Sequence, residues 1–428
     1  MNTASRSNLA PNGDLALAAS TPVMYAFGSN GSGQLGIGHT EDVSRPERCL
    51  FRTHKRGENS DHGLNFDRRN PVEGSAPAQV CDVKKLVAGG NHTLLLTTDG
   101  RLFIAGNTGM TRVVAEDIKS DCSVVFEEIT DPFSTFGISR RNTGPRTVVT
   151  DIAATWGASF AVVDGKAIVG WGIGTKGELG LGPSVTSTNG QVKELFEVDS
   201  VSGRGEVVEI LNIEGCVAHV IVLLSNGRVY GWGNCRKGQL GEQPRTEKIV
   251  WAPRSLGPVV DGEDLMPWMP ERVMLGREYT VFVKTGRRPV VWGDIRFFDQ
   301  KDLKWTAEEE DMMASGWSSI YILSRRLLDQ SLQGAGRNDH GQLPPAGLPL
   351  VQTLAAGSEH CVALSENNEV IAWGWGEHGN CGEELDPRGN VVGRYNVVPL
   401  PKLDEDVVAK NVAAGCATSF VICGEKDG

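Results

Sequence analysis

The stretch 354-LAAGSEHCVALSENNEVIAWGWGEHGNCG-382 decides how the whole chain is read. Two short apolar runs, 354–364 and 370–373, are joined through Glu366-Asn367-Asn368-Glu369 and followed by a glycine-rich tail. Apolar runs flanking turn-forming asparagines predict a β-hairpin unit. Both runs return elsewhere. The first returns as 86-LVAGGNHTLLL-96, 152-IAATWGASFAVV-163, 210-ILNIEGCVAHVIVLL-224, 273-VMLGREYTVFV-283, 312-MMASGWSSIYIL-323 and 412-VAAGCATSFVIC-423. The second returns in runs that end at Gly28, Gly106, Gly172, Gly233, Gly293, Gly336 and Gly374. Recurrence at tens of residues marks an array of like units.

The two series are out of step at the ends of the chain. It opens on a second run ending at Gly28 with no first run before it, and closes on a first run, 412–423, with no second run after it. In an open array both would be unpaired edges, a liability that closure into a ring removes. The expectation is therefore an all-β, seven-bladed β-propeller whose last blade is completed by the N- and C-terminal strands together.

A more specific pattern follows the second run: 28-GSNGSGQLG-36, 172-GIGTKGELG-180, 233-GNCRKGQLG-241 and 336-GRNDHGQL-343. These copies resemble the signature of the regulator-of-chromosome-condensation (RCC1-like) repeat family, and the resemblance covers nearly the whole chain outside its loops. The opening 24-MYAFGSNGSGQLGIGHTEDVSRPE-47 is similar to the alpha-tubulin-suppressor branch of that family. That likeness implies a non-enzymatic scaffold or adaptor. Its partner would be a small CSL-type zinc-finger protein, as a heterodimer, with Elongator as a possible further partner. The roles so implied are Elongator-dependent tRNA wobble-uridine modification and diphthamide biosynthesis. The founding members imply an alternative, guanine-nucleotide exchange on a Ran-type small GTPase. Those members tend to carry acidic residues on the exchange face, where this chain has Trp156, Cys216, Trp317 and Cys416, and residues 1–21 lack their basic chromatin-binding tail. Both departures count against exchange.

Composition narrows the classes further. The formal net charge is 42 − 53 = −11. Nucleic acid and anionic membranes are bound through clustered Lys and Arg, so neither is an expected partner. Nine cysteines, an odd number without a CxxC pair, point to free thiols used as small apolar fillers in a reducing compartment, cytoplasm and nucleus. Residues 1–21 read as a polar disordered tail in which neither a secretory signal nor a membrane span fits. Residues 22–428 read as one propeller with inserted loops near 51–80, 111–148, 184–206, 242–270 and 294–311. The basic cluster His54-Lys55-Arg56 in the first insert reads as solvated surface.

Within a unit, Asp99-Gly100, Asp164-Gly165 and Asn226-Gly227 supply the positive φ angles of tight hairpins. Trp171, Trp232, Trp292 and Trp373 offer flat surfaces to wedge between blades, each indole N–H needing an acceptor. His92, His360 and Tyr279 recur at one point of the repeat, which a repeated structural hydrogen bond explains. His378 and Cys381 have an HxxC spacing, but zinc needs about four donors and no second pair is visible, so no metal is expected. No nucleophile elbow, phosphate loop or zincin motif is present, and the GxG patterns lack a surrounding βαβ unit, so neither catalysis nor a cofactor is expected. The family resemblance places partner contacts just after the glycine of the first run. By alignment of the repeats these positions are Gly90-Asn91, Trp156-Gly157, Cys216-Val217, Arg277-Glu278, Trp317-Ser318, Ser358-Glu359 and Cys416-Ala417. Asn91, Trp156, Arg277, Glu278, Trp317 and Glu359 are the expected partner-binding residues, since Trp and Arg are the usual energetic centres of interfaces, with a plug of the central channel as the equal alternative for Trp156 and Trp317.

Overall fold

The computed structural model describes residues 22–52, 82–109, 122–129, 148–198, 207–256, 267–294, 296–298, 303, 305–325 and 331–426. The strands form seven sheets, the blades of a propeller. Blade 1 comprises Val83–Ala88, His92–Thr97, Leu102–Asn107 and Cys122–Ile129; blade 2, Val149–Ala154, Ala158–Val163, Ala167–Gly172 and Lys193–Glu197. Blade 3 comprises Ile210–Cys216, His219–Leu224, Val229–Asn234 and Ile249–Ser255; blade 4, Arg272–Leu275, Tyr279–Val283 and Val290–Gly293. Blade 5 comprises Met312–Ser315, Ser319–Leu323 and Leu332–Gly336; blade 6, Val351–Ala356, His360–Ser365, Val370–Trp375 and Asn390–Val397. Blade 7 takes Val407–Ala414 and Thr418–Glu425 from the end of the chain and Val23–Gly28 and Val43–Arg48 from its beginning. Strands are lettered A to D in these orders, A innermost.

The ring closes as the unpaired runs at the two ends of the chain require. Strand C of blade 7 pairs antiparallel with strand B from Val23↔Cys423 to Gly28↔Thr418. The A strands pack side by side through all seven blades, blade 7 against blade 1 included. A second clasp lies at the same junction: Phe51–Arg52 adds parallel to strand D of blade 1, with Phe51 stacked on Phe126 at 5.2 Å and Arg52 paired to Glu127 at 2.8 Å.

Three expectations need correction. Each first run is two strands, A and B, folded back at a tight turn; the unit is a blade of three or four antiparallel strands and not a hairpin. The stretches read as inserted loops also hold strands: Cys122–Ile129, Lys193–Glu197 and Ile249–Ser255 are D strands, and Glu242–Arg245 is a helical turn. Of those inserts, residues 53–80, 111–121, 130–147, 199–206 and 257–266 lie outside the described residues, as do His54-Lys55-Arg56 and the 1–21 tail, while Phe298, Leu303 and Ala307 of the last insert are buried. In blade 3 the A strand runs on through Cys216, so the turn position matching Trp156 is Val217, in a left-handed conformation (φ 47°).

The repeated loop motif acquires a physical account. Its Gln side chain accepts the backbone N–H two residues back, as Gln34 does from Ser32 (2.8 Å) and Gln342 from His340 (2.9 Å). The following leucines Leu35, Leu179 and Leu240 are buried. The backbone carbonyl at the Gln position accepts from the next blade: Trp232 Nε1 donates to Glu178 (2.8 Å), Trp373 Nε1 to Gln342 (2.9 Å) and Thr280 Oγ1 to Gln239 (2.8 Å). Two of the tryptophans thus find the acceptors they need while wedging between blades. Trp171 follows blade 1, which lacks the motif, and its Nε1 has no acceptor among the described residues.

The glycine ending each C strand cannot be replaced by a residue with a side chain. At Gly233 (φ 103°) a Cβ would lie 2.3 Å from the carbonyl oxygen of Ala218. B strands are buried end to end in blades 1 to 6, since both faces meet a neighbouring blade. They therefore read as continuous apolar runs and not as alternation.

Candidate functional site

Strand direction alternates within a blade, so all A–B turns and the ends of all C strands share one face, with the A–B turns rimming the axis. Backbone hydrogen bonds lace this rim from blade to blade. Gly90 N–H donates to the Trp156 carbonyl (2.8 Å), Trp156 to Val217 (2.9 Å), Arg277 to Trp317 (3.0 Å) and Trp317 to Ser358 (2.8 Å). The rim is preorganised by its own backbone.

Of the six expected contact residues, the fold brings three together at the axial mouth. Trp156 of blade 2 and Trp317 of blade 5 meet across it with ring centroids 6.1 Å apart, tilted at 45°. The Arg277 guanidinium lies 5.5 Å from the centre of the Trp317 ring. Trp156 is 47% exposed, a large indole held half out of the protein. It rests over Gly90, where a Cβ would come within 2.7 Å of the ring. Glu359 is engaged within the ring: its carboxylate accepts from Ser318 Oγ (2.7 Å) and Gln342 Nε2 (2.9 Å), tying blade 6 to blade 5. Asn91, exposed, and Glu278, half-buried, stand on the rim immediately before their B strands.

Behind the mouth runs an axial cavity of about 660 Å³, lined by A strands of all seven blades. Cys216 and Cys416 face it, and burial pushes their thiols up to about 12 and about 11, leaving neither a nucleophile at neutral pH. One wall carries a cluster that the sequence reading missed. Lys85 Nζ of blade 1 pairs with Asp151 (2.9 Å) of blade 2 and Glu214 (2.8 Å) of blade 3, and Asp151 also accepts the Ile213 N–H (2.9 Å). Burial alone would lower the lysine pKa, but the Glu214 and Asp151 carboxylates hold it above its ordinary value. A signal was available: Lys85 and Asp151 stand four residues before Gly89 and Thr155, the same point of adjacent repeats, with opposite charges.

The recurring histidines bind between blades. His360 Nε2 meets Ser419 Oγ at 3.0 Å, Tyr279 donates its hydroxyl to the Gly316 carbonyl (2.8 Å), and His219, which the sequence reading did not place, meets Thr280 Oγ1 at 3.1 Å. His378 and Cys381 diverge: His378 Nδ1 contacts Asp42 of blade 7 at 2.7 Å, while the Cys381 thiol is buried against the Trp375 carbonyl. Among the described residues no cluster of His, Cys, Asp and Glu has the makings of a metal site.

A family model described as the regulator of chromosome condensation (RCC1) repeat matches residues 83–109 and 351–380. Two segments of the chain thus match the RCC1 repeat. The two matched segments of this RCC1-like propeller are strands A to C of blades 1 and 6, which place Asn91 and Glu359 on the rim. An RCC1 repeat-containing protein of Schizosaccharomyces pombe is 27% identical over 94% of this chain and 99% of its own length. The secretion-regulating guanine nucleotide exchange factor of Bos taurus is 23% identical over 94% of this chain and 83% of its own length. Among solved structures, Prp20p of Saccharomyces cerevisiae, studied for its binding to Gsp1p and histones, superposes with a TM-score of 0.65 at 19% identity, covering 96% of this chain and 93% of its own. That likeness is one of fold.

Proposed function

We propose that this propeller is a guanine-nucleotide exchange factor for a small GTPase, working through its A–B turn face. The observation that carries the reading is the preorganised constellation of Trp156, Trp317 and Arg277 at the centre of that face, on a chain that aligns over 94% of its length with a relative named as an exchange factor. Exchange asks for no covalent chemistry. A rigid surface that binds the nucleotide-free GTPase better than the nucleotide-bound one shifts the equilibrium by that difference in affinity. Exposed aromatic and Arg anchors on an immobile backbone suit such a surface.

The test is release of a fluorescent GDP analogue from a panel of purified small GTPases, Ran-type included, with the propeller in catalytic amounts. Accelerated release from one of them, abolished in Trp156→Ala plus Trp317→Ala, supports exchange. No acceleration from any overturns it.

A second reading is the adaptor, favoured by one observation: the mouth is aromatic, whereas the founding exchange factors tend to be acidic there. Its occupant would be the small CSL-type zinc-finger protein, leading to Elongator and diphthamide chemistry. The relatives named above do not speak for that partner. Capture of a zinc-finger protein together with no exchange activity would favour it.

A further inference from the structure

We propose that Arg277 is a preformed receptor for one carboxylate of the docking protein, an Asp or Glu side chain set down at the axial mouth beside the Trp156–Trp317 pair. The inference rests on the A–B turn face being the docking surface and adds the chemistry of what it holds.

Arg277 is exposed, its backbone is tied to blade 5 by the bond to the Trp317 carbonyl, and its guanidinium carbon lies over the Trp317 ring, 5.5 Å from the centre. A guanidinium held over a ring by cation–π attraction still carries its fork of N–H donors, which can bond a carboxylate in the bidentate manner. Two other arginines of this face are already neutralised: Arg337 pairs with Asp339 and Arg296 with Asp294. Among the described residues no carboxylate pairs with Arg277. A chain of net charge −11 thus holds an uncompensated cation at the centre of its rim. One guanidinium matches the single charge of a carboxylate, and no second cation for a phosphate is seen among the described rim residues. Trp156, 6.1 Å from Trp317, supplies an apolar wall that lowers the local dielectric and strengthens the pair.

The experiment uses the full chain labelled with 5-fluorotryptophan and followed by fluorine NMR, the Trp156 and Trp317 resonances being assigned from Trp→Phe variants. Acetyl-Gly-Glu-Gly-amide, its Gln counterpart and inorganic phosphate are titrated at constant ionic strength. The Glu peptide should move both resonances with an initial slope at least about fivefold steeper than the Gln peptide or phosphate. Arg277→Lys, which keeps the charge and loses the fork of donors, should remove most of that response while the other tryptophan resonances stay native. Equal slopes for Glu and Gln peptides, a steeper slope for phosphate, no response at either indole, or an unchanged response in Arg277→Lys would each overturn the proposal. GDP release plays no part in this readout, so failure of exchange and failure of carboxylate capture are told apart.

Discussion

At the scale of single residues, the repeat is enforced by positions with no freedom. Gly374 closes strand C of blade 6 at φ 102°, and a Cβ there would lie 2.6 Å from the Glu359 carbonyl oxygen. Gly374→Ala combines positive-φ strain with a backbone collision, so a loss of about 3 kcal/mol or more is expected, seen as a lower urea midpoint at unchanged m-value. The inter-blade histidines set a pH limit. Burial lowers His92 and His360 to about 4 and His219 to about 3. The unfolded chain takes up these protons near pH 6.5 and the folded one does not, so stability is fully present above about pH 6.5 and drains as pH falls toward 4. Chemical denaturation at pH 7.0, 6.0 and 5.0 should show a falling midpoint, and His219→Gln should flatten that fall. An unchanged slope in that variant would show that other groups are responsible. His92 and His360 were legible because they recur in register. His219 was hidden because Gly215 occupies the place of Ala88, which puts the glycine of blade 3 one residue earlier in the repeat than Gly89.

At the scale of elements, the runs that hold strands A and B, and the C strands, could be read from the sequence, whereas the fold-back between A and B and the D strands could not. The B strands are apolar throughout because neighbouring blades cover both faces. A D strand such as Lys193–Glu197, with exposed and half-buried positions only, has no such signature. Its place is decided by pairing to strand C, as in Ala167↔Glu197 and Gly170↔Lys193, and not by its own composition. The bond that ties A strands together belongs to this scale. Lys85→Met leaves the buried Asp151 and the half-buried Glu214 beside the channel without their cation, and a loss of roughly 3 kcal/mol is expected. A thermal melt of Lys85→Met beside Lys85→Arg, which keeps the charge, would assign the effect to lost charge if only the first falls.

At the scale of the whole molecule, the ring stands or falls as one closed object. Removing residues 407–428 takes away strands A and B of blade 7 and leaves Val23–Gly28 without the partner to which it is paired along its whole length. Both sides of the gap would then expose apolar blade faces. The truncated chain should lose its single cooperative melting transition, and a melt at the temperature of the full chain would refute closure as the source of that cooperativity.

The repeat period, the seven copies and the mismatch of the two ends are properties of residue order, and residue order alone was enough to call for a closed seven-bladed ring. The recurring geometry inside the copies, glycine at the end of each second run and Gln-Leu or Glu-Leu in the loops that carry it, is local chemistry written in the repeat itself. The mouth is different. Trp156 and Trp317 lie in non-adjacent blades, and their meeting with Arg277 depends on the radius and order of the ring, which no stretch of sequence contains. The same holds for Lys85 with Glu214, two blades apart. Contacts across an axis come into being only when the circle closes, so the tertiary structure alone decided them.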